Sequence, residues 1–309
     1  MATTIRGMQT RTVGQVDLWY DLRGRPGDRV VVLVSGLGRP CVGWDDEFVQ
    51  MLVDRGFAVL LFDNRDCGRS SIFDDAPRFD LAAALRGDRS AVAYTLDDMA
   101  DDVVGLLGAL DLGPAHMVGV SLGGMICQTM AIRHPAWVRS LTSIMSTTGA
   151  RGVGRATPEA QALLTSPPPK TRDEFIEHEL ANMRIIGSRP PLVDEGRRRA
   201  MFERIYDHGV HPRGTGRQLM AIVVSGDRTA ALSTVAVPTL VVHGDADTLI
   251  DVSGGEATAK AIYGARLMVV PDLGHELPPV VWPQLVSALA EVAGGAEVAG
   301  GAEVAGGAS

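Results

Sequence analysis

Apolar residues along this chain recur in two rhythms. RVVVLVSG (residues 29–36) and FAVLLFD (57–63) are continuous apolar runs rich in β-branched residues, the pattern of strands covered on both faces of a sheet. VDLWYDLRG (16–24) alternates instead and predicts an edge strand. Between them, DDEFVQMLVDRG (45–56) spaces its apolar residues as a helix does and ends on Gly56, a helix stop. TLDDMADDVVGLLGALDLG (95–113) predicts a second helix, whose acidic first turn suits the helix dipole. HMVGV (116–120) reads as a strand running into the helix GMICQTMAIRHP (124–135), and VRSLTSIM (138–145) as the next strand. Strands alternating with helices at this short spacing predict an α/β fold with a mostly parallel, doubly wound sheet.

The rhythm breaks after that strand. Residues 148–234 contain SPPP, SRPP and several amphipathic helical patches but no convincing strand, which predicts a helical cap inserted into the sheet domain. The sheet resumes with VPTLVVHGDAD (237–247), followed by helix GEATAKAIYG (255–264), strand ARLMVVPDLGH (265–275) and a closing helix in PVVWPQLVSALAEV (279–292). The core domain is thus expected to comprise residues 1–147 and 235–295. The hexamer AEVAGG occurs three times over residues 290–307, and paired glycines disfavour a continuing helix, so residues 296–309 are expected to form a flexible tail.

Charge and composition narrow the function. Against 29 Lys and Arg stand 37 Asp and Glu, a net charge of −8, and no basic stripe offsets it, so nucleic acid is not an expected partner. The run GRRRAM (196–201) reads as the solvated face of a helix. Three widely spaced cysteines, Cys41, Cys67 and Cys127, match neither a disulfide framework nor a CxxC metal site and read as reduced thiols of a cytoplasmic protein. The most apolar stretch (117–132) is too short to span a membrane and carries Ser121, Gln128 and Thr129, so it reads as a strand entering a buried helix.

That stretch also holds the first candidate chemistry. In GVSLG (119–123), Gly119, Ser121 and Gly123 suit a sharp strand-to-helix elbow that presents the serine hydroxyl at the end of the sheet. Asp247 follows the strand TLVVHG and His275 follows RLMVV, so a nucleophile, an acid and a base fall at the carboxyl ends of parallel strands, where ligands gather. Asp245, two residues before Asp247, is a rival for the acid.

GVSLG, GDADTLI (244–250), GHELP (274–278) and DNRDCGRS (63–70) together resemble the α/β-hydrolase family over nearly all of residues 13–292. With VSGLGRPCVGW (34–44), DNRDCGRS resembles most the branch of bacterial lipases and esterases and the methylesterases of anthracycline biosynthesis. The resemblance implies the α/β-hydrolase fold with its helical cap and a cofactor-free serine hydrolase that cleaves esters through an acyl-enzyme. Ser121 would be the nucleophile, His275 its base and Asp247 the orienting acid, a choice the family's GxxD spacing from Gly244 favours over Asp245. Backbone N–H groups of Leu37 and Leu122 would form the oxyanion hole. Many relatives carry histidine where Ser35 stands, but the hole needs only backbone, so Ser35 is expected to fix the loop.

Other candidates have plainer readings. His243, Asp245, Asp247 and His275 could be drawn as a metal cluster, but no HxH or HExxH pair supports one and no metal is expected. His116, His134, His178, His208 and His211 are expected as caps or surface residues, Cys127 as core, and Cys41 as a possible pocket residue beside the oxyanion loop. In the cap, Phe175, Met183, Met201, Phe202, Tyr206 and Met220 lie in helical patches of which some are expected to pack the cap onto the sheet domain and others to make the site apolar for the ester, with Phe175, Met183, Phe202 and Tyr206 as the expected substrate-binding residues. A thioesterase or C–C bond hydrolase would share the triad, and a non-catalytic binding protein would leave it idle. Epoxide hydrolases and haloalkane dehalogenases would require aspartate at position 121.

Overall fold

The computed structural model describes residues 8–77 and 80–305. Its strands are β1 (Met8–Val13), β2 (Val16–Arg23), β3 (Arg29–Val34), β4 (Phe57–Phe62), β5 (Ala115–Val120), β6 (Val138–Ile144), β7 (Thr239–Gly244) and β8 (Arg266–Val270). They form one eight-stranded sheet in the order β1-β2-β4-β3-β5-β6-β7-β8. β1 and β2 join antiparallel and every pair from β4 to β8 is parallel. The expected edge strand, β2, therefore lies inside the sheet. The edge is β1, whose sequence MQTRTV is exposed along almost its whole length and shows no apolar rhythm to read.

The helices are α1 (Asp46–Asp54), α2 (Leu81–Leu85), α3 (Leu96–Ala109), α4 (Leu122–Arg133), α5 (Pro158–Leu163), α6 (Arg172–Ile186), α7 (Glu195–His208), α8 (Pro212–Ser225), α9 (Thr229–Leu232), α10 (Ser253–Ala261) and α11 (Trp282–Ala305). Side chains of the central strands alternate between two cores. Val30, Val32 and Val34 of β3 pack with Met99, Val103 and Leu106 of α3 and with α4, while Val31 and Leu33 pack with Phe48 and Leu52 of α1 and with Leu285 of α11. Both faces are covered, which is why β3 and β4 are apolar without interruption.

Local chemistry sets the helix ends. The Asp45 carboxylate accepts the Glu47 N–H at the start of α1, and Thr95 with Asp98 closes a capping box on α3. Gly56, with φ +80°, turns the chain out of α1 as expected. α4 buries every residue from Leu122 to Ala131, so it has no polar face. Cys127 is fully buried there, as expected of a core residue.

Between β6 and β7 the chain runs through α5–α9 with no strand. Phe175, Leu180 and Met183 of α6 join Phe202 and Ile205 of α7 in a separate apolar core. α8 belongs instead to the sheet domain: Arg217 pairs with Asp66 in the loop after β4, and Gln218 donates to the Arg65 carbonyl at 2.7 Å. The backbone differs from expectation at the C-terminus. α11 continues to Ala305, because the Ala and Glu of each repeat are strong helix formers that carry the helix across the glycine pairs. Residues 306–309 of the expected tail lie outside the described residues. No helix among the described residues is long and apolar enough to cross a membrane.

Candidate active site

Ser121 sits between β5 and α4 with φ 56° and ψ −118°, a strained backbone for a residue with a side chain. Its N–H donates to the Ile144 carbonyl at 2.8 Å, and its carbonyl accepts from Ser146 Oγ at 2.8 Å. The flanking glycines are sterically required. A Cβ on Gly119 would lie 2.2 Å from the Gly123 carbonyl oxygen, and one on Gly123 would lie 2.0 Å from that of Val34. The elbow is tight because α4 must start directly against the ends of β3 and β5.

His275 reaches the site from the loop after β8. Its Nδ1–H donates to Asp247 Oδ2 at 2.7 Å, which leaves Nε2 as the acceptor nitrogen. Asp247 is buried, and its Oδ1 accepts the Leu249 and Ile250 N–H groups, each at 2.9 Å. Asp245 points elsewhere and accepts the Asp272 N–H at 2.7 Å. The acid beside the histidine is therefore Asp247. His243, fully buried beneath it, donates Nε2–H to the Ile250 carbonyl at 2.8 Å and lies 3.6 Å from Asp247 Oδ2; burial lowers its pKa. Among these four residues the hydrogen bond joins His275 to Asp247, while Asp245 and His243 bond backbone groups of Asp272 and Ile250.

Ser121, His275 and Leu37 line one cavity of about 350 Å³ between the sheet and the inserted helices. The loop carrying Leu37 is pinned at Gly38, whose N–H donates to Gln218 Oε1 at 2.8 Å. Ser35 fixes it from behind, accepting Trp44 Nε1–H on its hydroxyl at 3.1 Å and Asn64 Nδ2–H on its carbonyl at 3.2 Å. Leu122, at the first turn of α4, buries its side chain completely, and a first-turn N–H has no partner within its helix.

Met183, Met201 and Phe202 line the cavity. Phe175 and Tyr206 do not: their rings pack on each other at 5.4 Å inside the separate core of α6 and α7. Met220 packs against Ala84 and Val224 instead, and Cys41 is buried behind the wall. On the sheet side, Trp44, Phe48 and Trp282 form an aromatic row with successive centroids 5.7 and 6.0 Å apart. Helical spacing places Phe48 and Trp282 on helices and carries no sign of this row.

Two ion pairs in the wall escaped the sequence reading. Arg39 pairs with Glu179 of α6; burial alone would raise the Glu179 pKa, but Arg39 and His178 together bring it down to about 2. Arg198 of α7 pairs with Glu276, the neighbour of His275. The expected solvated arginine run is thus split, with side chains of Arg197 and Arg199 40% and 48% exposed but Arg198 only 7%.

The histidines expected as caps or surface residues include His116, which is buried, and His208, which is half-buried. His116 packs edge-on to Phe57 within the sheet, and His208 Nε2 bonds Asp63 Oδ2 at 2.7 Å. Cys41, Asp63 and His208 bring ligand-type atoms within 4.8 Å of one another. Asp63 is already engaged by the N–H groups of Cys41 and Arg69 as well as by His208, and burial together with Asp63 pushes the Cys41 thiol well up, away from the thiolate a metal needs.

Residues 29–279 match the family described as alpha/beta hydrolase fold. The chain is 28% identical over 307 residues to the rhodomycin D methylesterase DnrP of Streptomyces peucetius, covering 91% of this chain and 97% of that one. It is 26% identical over 251 residues to a 2-hydroxy-6-oxononadienedioate/2-hydroxy-6-oxononatrienedioate hydrolase of a Pseudomonas species, covering 81% and 82%. A solved hydrolase from Pseudomonas aeruginosa PA01 aligns with a TM-score of 0.68 at 26% identity over 92% of this chain and 96% of that one. The family match spans strands β3 to β8, the serine elbow and the histidine loop together, and the chain belongs to the α/β hydrolase family.

Proposed function

We propose that this protein is a serine esterase that cleaves carboxylic esters of apolar substrates through an acyl-enzyme. The observation that carries the reading is His275, bonded to buried Asp247 and facing the same cavity as the strained Ser121. Ser121 Oγ attacks the ester carbonyl as His275 Nε2 takes its proton and then passes it to the leaving alcohol. Asp247 holds the tautomer this requires and stabilises the imidazolium. The Leu37 and Leu122 N–H groups receive the oxyanion, each contributing about 3 kcal/mol to the transition state. α5–α7 act as the cap, and the apolar part of their wall, Leu163, Met183, Ile186 and Phe202, with the facing aromatic row favours a bulky, flat acyl or alcohol part.

The methylesterase relative supports an ester as the scissile bond. The 2-hydroxy-6-oxononadienedioate hydrolase relative supports a second reading, C–C bond hydrolysis by the same triad. A burst of p-nitrophenol from a short-chain ester, with fluorophosphonate labelling of Ser121, tests the first. Labelling without ester turnover, and with cleavage of a vinylogous 1,5-diketone, would establish the second. The three free, buried cysteines fit a reducing compartment, and we place the protein in the cytoplasm.

A further inference from the structure

The loop that carries His275 is held from two sides. On the sheet side, the Asp272 N–H reaches Asp245, and the Leu273 carbonyl accepts the Ala246 N–H at 3.1 Å. On the other side lies the turn between α6 and α7. The His275 N–H donates to the Ile186 carbonyl at 2.7 Å, the Gly274 N–H to Ser188 Oγ at 3.1 Å, and the Arg189 N–H to the Asp272 carbonyl at 2.9 Å. The two backbones touch: a Cβ on Gly274 would lie 2.1 Å from the carbonyl carbon of Gly187.

Glu276 closes this seam. Its Oε1 accepts the Ser188 N–H at 2.7 Å, its Oε2 accepts Arg198 Nε–H at 2.9 Å, and a second guanidinium nitrogen of Arg198 also bonds Oε1. Such a forked pair fixes both angle and distance. The base's own backbone N–H is thus satisfied by the inserted helices and not by the domain that carries Ser121 and Asp247. Displacing α6–α7 would draw the imidazole with it, and a misplacement of about 1 Å can lower a rate by about 100-fold.

We propose that Arg198 and Glu276 are positioning residues for His275, so that the imidazole is presented to Ser121 only while the cap is seated on the histidine loop. The inference rests on the serine-hydrolase reading above, and it makes the cap part of the catalytic geometry as well as a wall for the substrate.

The test compares Arg198→Met, Arg198→Lys and Glu276→Gln with Arg199→Met, which breaks only the exposed pair with Glu177 on the same helices. Turnover of p-nitrophenyl acetate is measured well below each variant's Tm, alongside the proton NMR resonance of His275 Nδ1–H. The expected result is a kcat about 10- to 100-fold lower in Arg198→Met, with KM for this small ester within about twofold. The His275 resonance should broaden or move, Arg198→Lys should recover part of the loss, and Arg199→Met should match the wild type. Should Arg198→Met fail to fold, Glu276→Gln carries the same expectation, because its amide oxygen still accepts the Ser188 N–H while the charge is lost. An Arg198→Met enzyme with wild-type kcat, or one slowed with an unchanged His275 resonance, would overturn the proposal. Failure of the wild type itself to turn over ester or take fluorophosphonate would instead overturn the functional reading, and the NMR comparison would still judge the seam.

Discussion

Replacing Asp247 by asparagine probes the orienting chain with almost no change of shape. The two oxygens of Asp247 have different partners. Oδ1 accepts two backbone N–H groups, from Leu249 and Ile250, and Oδ2 faces His275 Nδ1. An asparagine must keep its oxygen toward the two amides, because turning its NH2 toward them would set donor against donor at two buried bonds. The NH2 then faces Nδ1 and donates to it, which forces the proton onto Nε2. That nitrogen can no longer accept from Ser121. The expected loss is about 10⁴ in kcat, equivalent to about 5 kcal/mol of transition-state stabilisation. Asp245→Asn keeps an oxygen for the Asp272 N–H and should stay within about tenfold of wild type, a cost of about 1 kcal/mol or less. The assay is kcat/KM on p-nitrophenyl butyrate, with circular dichroism showing that both variants are folded. Near-wild-type activity in Asp247→Asn, or a larger loss in Asp245→Asn, would refute the assignment of the acid.

Ser121→Ala and His275→Ala should each abolish turnover, and the double variant should be little worse than either, since the two act as one unit; independent, multiplying losses would contradict the mechanism. Glu179 is held at about 2 against an ordinary value of 4.5, so its pairing stabilises the fold above about pH 4.5 and is lost as pH falls toward 2. Because the group is buried, the effect is on the order of 3 kcal/mol, and Tm should fall less steeply from pH 4.5 to 2 in Glu179→Gln than in wild type; parallel slopes would remove Glu179 from acid unfolding. Met183→Ala should lower kcat/KM for a bulky apolar ester by about 1–3 kcal/mol while sparing acetate, whereas Phe175→Ala should lower Tm and leave the ratio unchanged. A shifted ratio in Phe175→Ala alone would return that ring to the site. Truncation after Gly295 should leave turnover unchanged and Tm within about 2 °C, since Ala293 is the last core residue of α11 among those whose burial is described; a larger fall would mean that the repeats dock.

What could be read from the sequence divides according to how local its cause is. The elbow was legible because its requirement is steric and contiguous: Gly119 and Gly123 fail to carry a Cβ for reasons set by four residues of chain and one neighbouring strand. β3 and β4 were legible because burial on both faces writes an unbroken apolar run. β1 was not, because MQTRTV is held by backbone bonds to β2 and its exposed side chains record nothing of the pairing. The arginine run shows the same limit at the site. Periodicity says that a helix runs through residues 196–201, but which of Arg197, Arg198 and Arg199 turns inward depends on where Glu276 waits, some eighty positions away in the chain. Phe175 and Phe202 share helical context and the core between α6 and α7, yet only Phe202 also reaches the cavity wall, because that depends on where the two helices meet the rest of the molecule. Residues whose role is set by two elements converging from distant parts of the chain carry no local mark of it. At this site those are the residues that join α7 to the histidine loop, which is why Glu276, though adjacent to His275 in the chain, becomes meaningful only once Arg198 is seen against it.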